Sequence, residues 1–340
     1  MTDMKISRRA VVAGMAALPF VPGLAQAGGV IGKITRLDPA LDAVVDVASP
    51  IELLGGGYKW SEGPVWVKDG GYLLFSDVPS NVIWQWKPGA TPVKFLDPSG
   101  LSGPIPAGIR EAGSNGLAID AKGDLIIADS GSRVVSSLNL KTKQRTVLAD
   151  RYNGKRFNSC NDVAIHRNGT IYFTDPPYGL AEGDQSPLKE QPHNGVYRRT
   201  ASGEVHLVDG SLSRPNGVAL SPDQQTLDIA MSDRERPHIL AYPLDVDGGA
   251  SDNPSILTDF SEELAKNLPG LPDGLKVAKD GTIFTSAPGG IYVLSPKGKK
   301  LGLIATGKAT ANCAFGEDGK TLFLTSNDVL AKVRLKIGGW

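Results

Sequence analysis

The chain has 340 residues, and its 36 basic side chains balance 36 acidic ones. Zero net charge removes the electrostatic reason to expect nucleic acid or an anionic membrane as partner. With 41 glycines and 24 prolines, and no long Ala/Leu/Glu/Lys stretches, the composition favours many short strands and tight turns over helices.

The first element in chain order is a leader. Lys5, Arg8 and Arg9 precede an apolar run from Ala10 to about Leu24, which ends at Ala25-Gln26-Ala27. A basic head, a short apolar run and a small-residue end predict a secretory signal peptide over 1–27. The run is short for a membrane span, and the paired arginines of "SRRAVV" point to the twin-arginine export route. The expected mature chain is periplasmic, with no stable membrane anchor. In that oxidising compartment Cys160 and Cys313 are open either to pairing or to remaining small buried thiols.

From residue 28 onward the sequence repeats itself. "SEGPVWVKDGGYLLFSD" (61–77), "SNGLAIDAKGDLIIADS" (114–130), "CNDVAIHRNGTIYFTDP" (160–176), "PNGVALSPDQQTLDIAMSD" (215–233), "PDGLKVAKDGTIFTSA" (272–287) and "ANCAFGEDGKTLFLTS" (311–326) share one plan. A polar residue leads into a short apolar strand. A Gly- or Asp-rich turn follows, and a second strand ends near Ser, Thr or Asp. This is a hairpin signature. Stretches such as "NVIWQWKPGATPVKFL" and "RVVSSLNLKTKQRTVLA" supply a second hairpin between copies. Two hairpins make a four-stranded antiparallel sheet, and six such units predict an all-β, six-bladed β-propeller over 28–340. "SPIELLGGG" (49–57) is expected to supply the outer strand of the last sheet and so close the ring. Trp60, Trp66, Trp84 and Trp86 are expected in blade packing.

Aligned on the first polar position, the six copies hold Glu62, Asn115, Asn161, Asn216, Asp273 and Asn312. Inner strands line a propeller's channel, so equivalent slots converge near one end of the axis. Any one Asn-Gly or Asn-Asp is readily explained by turn chemistry. Six convergent oxygen-bearing side chains, two of them acidic, point instead to a hard divalent cation. Ca²⁺ fits such a variable cage best, with Zn²⁺, Mn²⁺ or Mg²⁺ as alternatives.

"SEGPVW", "RFNSCNDVAI", "GTIYFTDPPYGL", "NGVYRR", "RPNGVALSPD" and "LPDGLKV" together closely resemble the SMP-30/gluconolactonase/luciferin-regenerating family. The resemblance runs over essentially the whole mature chain. It implies one divalent metal held by Glu62, Asn161, Asn216 and Asp273, with Asn115 on the substrate side. It also implies hydrolysis of a small-molecule sugar lactone, gluconolactone being the common case, with the metal polarising the carbonyl. Asp273 is the candidate catalytic base as well as a ligand, the alternative being a ligand alone. Asn312 completes the slot set on the substrate side. The aperiodic segment 178–194 is expected to be a lid over the channel mouth, with Tyr178 and His193 as substrate contacts. "ADSGSRVVS" (128–136) departs from the His and paired arginines common in bacterial relatives, so Ser130 and Arg133 predict a different pocket wall. The same site would also serve a phosphotriesterase or arylesterase. A non-catalytic ligand-binding propeller with structural calcium is the reading from another class, and a monomer or small homo-oligomer suits each.

Overall fold

The computed structural model describes residues 28–339; the leader expected over 1–27 lies outside them. Among the described residues, six antiparallel sheets of four or five strands follow one another along the chain, with a two-stranded ribbon, Arg151–Tyr152 and Lys155–Arg156, between the second and third. Their innermost strands are Ser61–Val67, Ser114–Ile119, Val163–Ile165, Pro215–Leu220, Leu275–Val277 and Asn312–Gly316. The blades are numbered 1 to 6 in that order. Alternating apolar residues bury against the neighbouring blade. Cys160, Phe157, Phe173 and Tyr197 thus pack with Ile126 and Val135 of blade 2, and Val218 and Ile229 of blade 4 pack with Tyr172 of blade 3. Each blade presents two apolar faces, so the ring is one continuous core.

The ring closes as the sequence predicts. Ile51–Gly56 pairs antiparallel with Val329–Arg334 and completes blade 6, with Ile51 opposite Val333. A second clasp was not legible. Lys33–Arg36 adds a fifth strand to blade 5, antiparallel to Lys300–Ala305. Four residues reading "KITR" carry too little pattern to declare a strand, and only the waiting edge of blade 5 makes them one. The turn after them seats Leu41, fully buried, against the core of blades 5 and 6. Cys160 and Cys313 are both free and buried in different clusters, so they do not pair. Trp86 is buried in blade packing, with Trp66 and Trp84 partly buried beside it. Trp60 departs from that expectation and lines a cavity at the axis.

The glycines behind the slots belong to the ring rather than to turns. A Cβ on Gly63 would stand 2.0 Å from the Asn115 carbonyl oxygen, and one on Gly217 2.1 Å from that of Asp273. Blades 1, 2, 4 and 5 therefore press the slot peptide against the next blade's slot at a spacing that only glycine permits, while blades 3 and 6 carry Asp162 and Cys313 at that position. Side chains at the end of the second strand reinforce the circle. Ser76 donates to the Asn115 carbonyl at 2.8 Å, Ser130 to Cys160 at 2.9 Å, and Thr174 to Asn216 at 2.6 Å. In blades 1 to 4 the Ser or Thr that ends the second strand is an inter-blade hydrogen-bond donor, Ser232 giving its proton to the Pro272 carbonyl.

One core position works against stability. Asp228 of blade 4 is 3 % exposed between Ala219 and Ala241 on the flanking strands. Burial raises its carboxyl to about 7. The unfolded chain ionises it near 4, so the native state holds the extra proton between those values and loses stability as pH rises through that window. At about 1.4 kcal/mol per unit, Asp228→Asn is expected to be near neutral at pH 4 and to stabilise by on the order of a few kcal/mol at pH 8. Denaturant unfolding at the two pH values checks this; equal effects at both would contradict it.

Candidate active site

Backbone irregularity aims the slot side chains. The ladder slips between Glu62 and Val65, between Ser114 and Leu117, and between Pro215 and Val218. In blades 3 and 5 the regular strand begins only after the slot, at Val163 and Leu275. Bulges of this kind re-aim a side chain out of the sheet alternation. Asn312 is different: it sits in a regular ladder opposite Thr325. Its Oδ1 accepts from the Cys313 N–H at 2.9 Å, and its Nδ2 donates to Glu62 Oε2 at 3.3 Å. Asn312 braces Glu62 and is not part of the cavity lining.

That lining encloses about 390 Å³ at the end of the axis where the slots lie. It includes Asn115, Tyr178, Asn216 and Asp273, together with Trp60, Glu111 and Ser232. Glu62 and Asn161 lie buried beneath it, 2 % and 4 % exposed. His193 is not in the lining; its Nε2 meets the Tyr197 hydroxyl at 2.9 Å behind blade 3. Ser130 and Arg133 are also away from it. Ser130 bonds the Cys160 carbonyl, and Arg133 donates through Nε to the Phe157 carbonyl at 2.6 Å. The departure from the family pattern at 128–136 therefore alters blade packing and leaves the cavity wall untouched.

Segment 178–194 places Tyr178 in the cavity lining, and its start is laced down. Ile109 pairs with Leu180, Arg110 N donates to the Gly179 carbonyl at 2.8 Å, and Ala181 N to Gly108 at 2.9 Å. Asp184 meets Arg214 at 2.5 Å. Loops 97–113 and 178–194 together form one rim. Asp77 accepts from the Lys59 and Trp60 N–H groups at 3.2 Å, which fixes the loop carrying Trp60.

The electrostatics are those of crowded carboxylates. Glu62 and Asp162 are buried, and Asp273 is half-buried at the cavity. Burial, then the charges of Glu62 and Asp162, push Asp273 far above the usual carboxylate range. Burial raises Glu62 and Asp162 too, with Lys276 opposing the rise in each. The Asp162 oxygens are committed to the Val163 and Val218 N–H groups. Three carboxyls against one lysine leave two without a cationic partner, and burial holds them toward the protonated form.

Asn216 completes the picture. Ser232 gives its proton to the Pro272 carbonyl, so its oxygen accepts from Asn216 Nδ2 at 2.8 Å. That fixes the amide's orientation and turns Oδ1 inward, buried and with no hydrogen-bond partner. A buried oxygen left without a donor costs about 1–3 kcal/mol. Beside two carboxyls without a cationic partner, this is a donor set that suits a divalent cation. Among the described residues no three His, Cys, Asp or Glu converge on one point; the set is mixed carboxylate and carboxamide. The Tyr178 hydroxyl also ends in the site without a partner of standard geometry, and burial pushes its pKa up, so it stays a donor. Ser232, Glu111 and Trp60 carry no repeat signal at the aligned slot, and sequence gave no warning of them.

The fold and site define a six-bladed propeller with an oxygen-donor ring over its channel. Residues 60–328 match the model of the SMP-30/Gluconolactonase/LRE-like region, and the chain belongs to that family. It is similar to the gluconolactonase of Zymomonas mobilis subsp. mobilis, 46% identical over all of both chains. It is also similar to the structure of a gluconolactonase from Xanthomonas campestris, with a TM-score of 0.77 and 29% identity, covering 91% of this chain and 98% of that one. The regucalcin from Agrobacterium tumefaciens, a calcium-binding protein, shares the fold at a TM-score of 0.65 and 17% identity, over 83% of this chain and 92% of that one.

Proposed function

We infer that this protein is a lactone hydrolase whose substrates are sugar lactones. The observation that carries the reading is the cavity over Asp273, walled by hydrogen-bonding groups and floored by an oxygen-donor ring, in a chain similar along its full length to a gluconolactonase. Glu62, Asn161, Asn216 and Asp273 would hold one divalent cation, Ca²⁺ fitting their mixed oxygens best. When bound, such a cation supplies Lewis-acid stabilisation of negative charge developing on the lactone carbonyl oxygen.

The chain's own groups supply the rest. The Asp273 carboxylate takes a proton from the attacking water as the tetrahedral carbon forms, and returns it to the ring oxygen as the C–O bond breaks. The Tyr178 hydroxyl and the Asn115 side chain orient the substrate from the cavity wall. The rim loops exclude bulk water, which strengthens each of these polar contacts. The twin-arginine layout of 1–27 supports export to the periplasm.

A pH-indicator screen tests the reading with gluconolactone, galactonolactone, xylonolactone, an aryl acetate and a phosphotriester. The expected result is turnover of the sugar lactones well above the other two. Preference for the phosphotriester or aryl ester would move the function to those classes, and an inert panel would favour a ligand-binding propeller.

A further inference from the structure

The mouth of the cavity holds a carboxylate that neither the slot alignment nor the proton-transfer scheme uses. Glu111 lines the same cavity as Asp273, Asn115 and Trp60, close enough for its charge to be felt at Asp273. Its side chain is 19 % exposed.

The backbone holds Glu111 firmly. Its N–H and that of Arg110 both reach the Gly179 carbonyl, at 3.3 Å and 2.8 Å, and the Arg110 guanidinium donates to the Tyr178 carbonyl. The next residue, Ala112, is 2 % exposed, and its carbonyl accepts from Leu101 N at 2.8 Å. The carboxylate is less well served. Arg110 Nη2 stands 3.5 Å from Oε1, too far for a strong charge-assisted hydrogen bond. Burial raises its carboxyl to about 7 against the lowering by Arg110.

A rigidly placed acceptor lacking donors, across a small cavity from an indole, suits a ligand with hydroxyls on one edge and C–H groups on a face. We propose that Glu111 is the specificity-determining residue of this site, accepting hydrogen bonds from the hydroxyls of a polyhydroxylated lactone whose ring packs beside Trp60. The proposal rests on the lactone-hydrolase reading and deepens it: the site selects sugar lactones over unsubstituted ones. Buried polar groups built for substrate hydroxyls penalise analogues that lack them, because the groups are then left unpaired.

The test compares δ-gluconolactone with δ-valerolactone, which has the same ring without hydroxyls. Wild type is expected to favour gluconolactone strongly in kcat/KM. Glu111→Ala should raise KM for gluconolactone by about 10- to 100-fold, the scale of one or two lost hydrogen bonds to a charged group. Its kcat/KM for valerolactone should stay within about threefold. Glu111→Gln keeps an acceptor and should fall between, and it carries the test if the alanine variant does not fold. An equal loss on both lactones, or no loss on either, overturns the assignment. Wild type inert on both removes the hydrolase reading itself, and this inference with it.

Discussion

Asp273→Asn is expected to lower kcat for sugar-lactone hydrolysis by at least about a thousandfold, within the range a positioned general base contributes. The substitution keeps the shape of the side chain and one oxygen. It removes the capacity to take a proton at neutral pH. The Asp273 backbone also serves the ring, since its carbonyl lies where a Cβ on Gly217 would fall, and that contact is unchanged. The far-ultraviolet spectrum should therefore stay close to wild type. Elemental analysis of the purified variant separates the two roles assigned to Asp273. A variant that keeps its metal but loses turnover identifies the carboxylate as the base. One that loses both identifies it as a ligand first. Turnover near the wild-type rate would remove Asp273 from the machinery altogether.

How far the sequence could be read follows from what each signal depends on. The blades were legible because each repeat buries its own alternation, and a period-two pattern declares a strand wherever it falls. The clasp at Ile51–Gly56 was legible because blade 6 visibly lacked an outer strand. The fifth strand Lys33–Arg36 was not, since its pairing exists only once blade 5 offers an edge. The slot alignment located the floor of the site, but a repeat treats its members as equivalent. It could not foresee that five slots lie at irregular backbone while Asn312 stays in register and turns onto Glu62. The wall was least legible. Glu111 and Trp60 come from connections of unequal length, where no period exists, and Glu111 meets the expected Tyr178 through the lacing of loop 97–113 to segment 178–194. His193 shares that segment but is drawn back by Tyr197, a pairing that spacing alone does not announce.

Removal of the metal is expected to have the other large effect, visible in stability as well as activity. A sample stripped by chelator and verified metal-free should lose nearly all lactone hydrolysis, and added Ca²⁺ should restore it. Mn²⁺, Zn²⁺ and Mg²⁺ provide the comparison for metal preference. The physical reason is already present in the apoprotein. Glu62 and Asp273 oppose each other's ionisation, with burial holding both carboxyls above the usual range, and Asn216 Oδ1 has no donor. A ligand that binds only the native ring stabilises it by RT ln(1 + [L]/Kd), about 2.7 kcal/mol at a hundredfold excess over Kd. Calcium should therefore raise the melting temperature by several degrees, and it should do so in Asp228→Asn as well, because that residue lies outside the ring. Ser232→Ala frees the Asn216 amide to flip and present Nδ2 to the cation. Outer residues that orient a ligand typically contribute 10- to 100-fold in affinity, so the calcium titration of this variant should shift by that factor, with the melting temperature of the stripped protein little changed. A metal-free sample that hydrolyses lactone at full rate, with no thermal response to calcium, would leave the donor ring without its assigned purpose and return catalysis to Asp273 and the cavity wall alone.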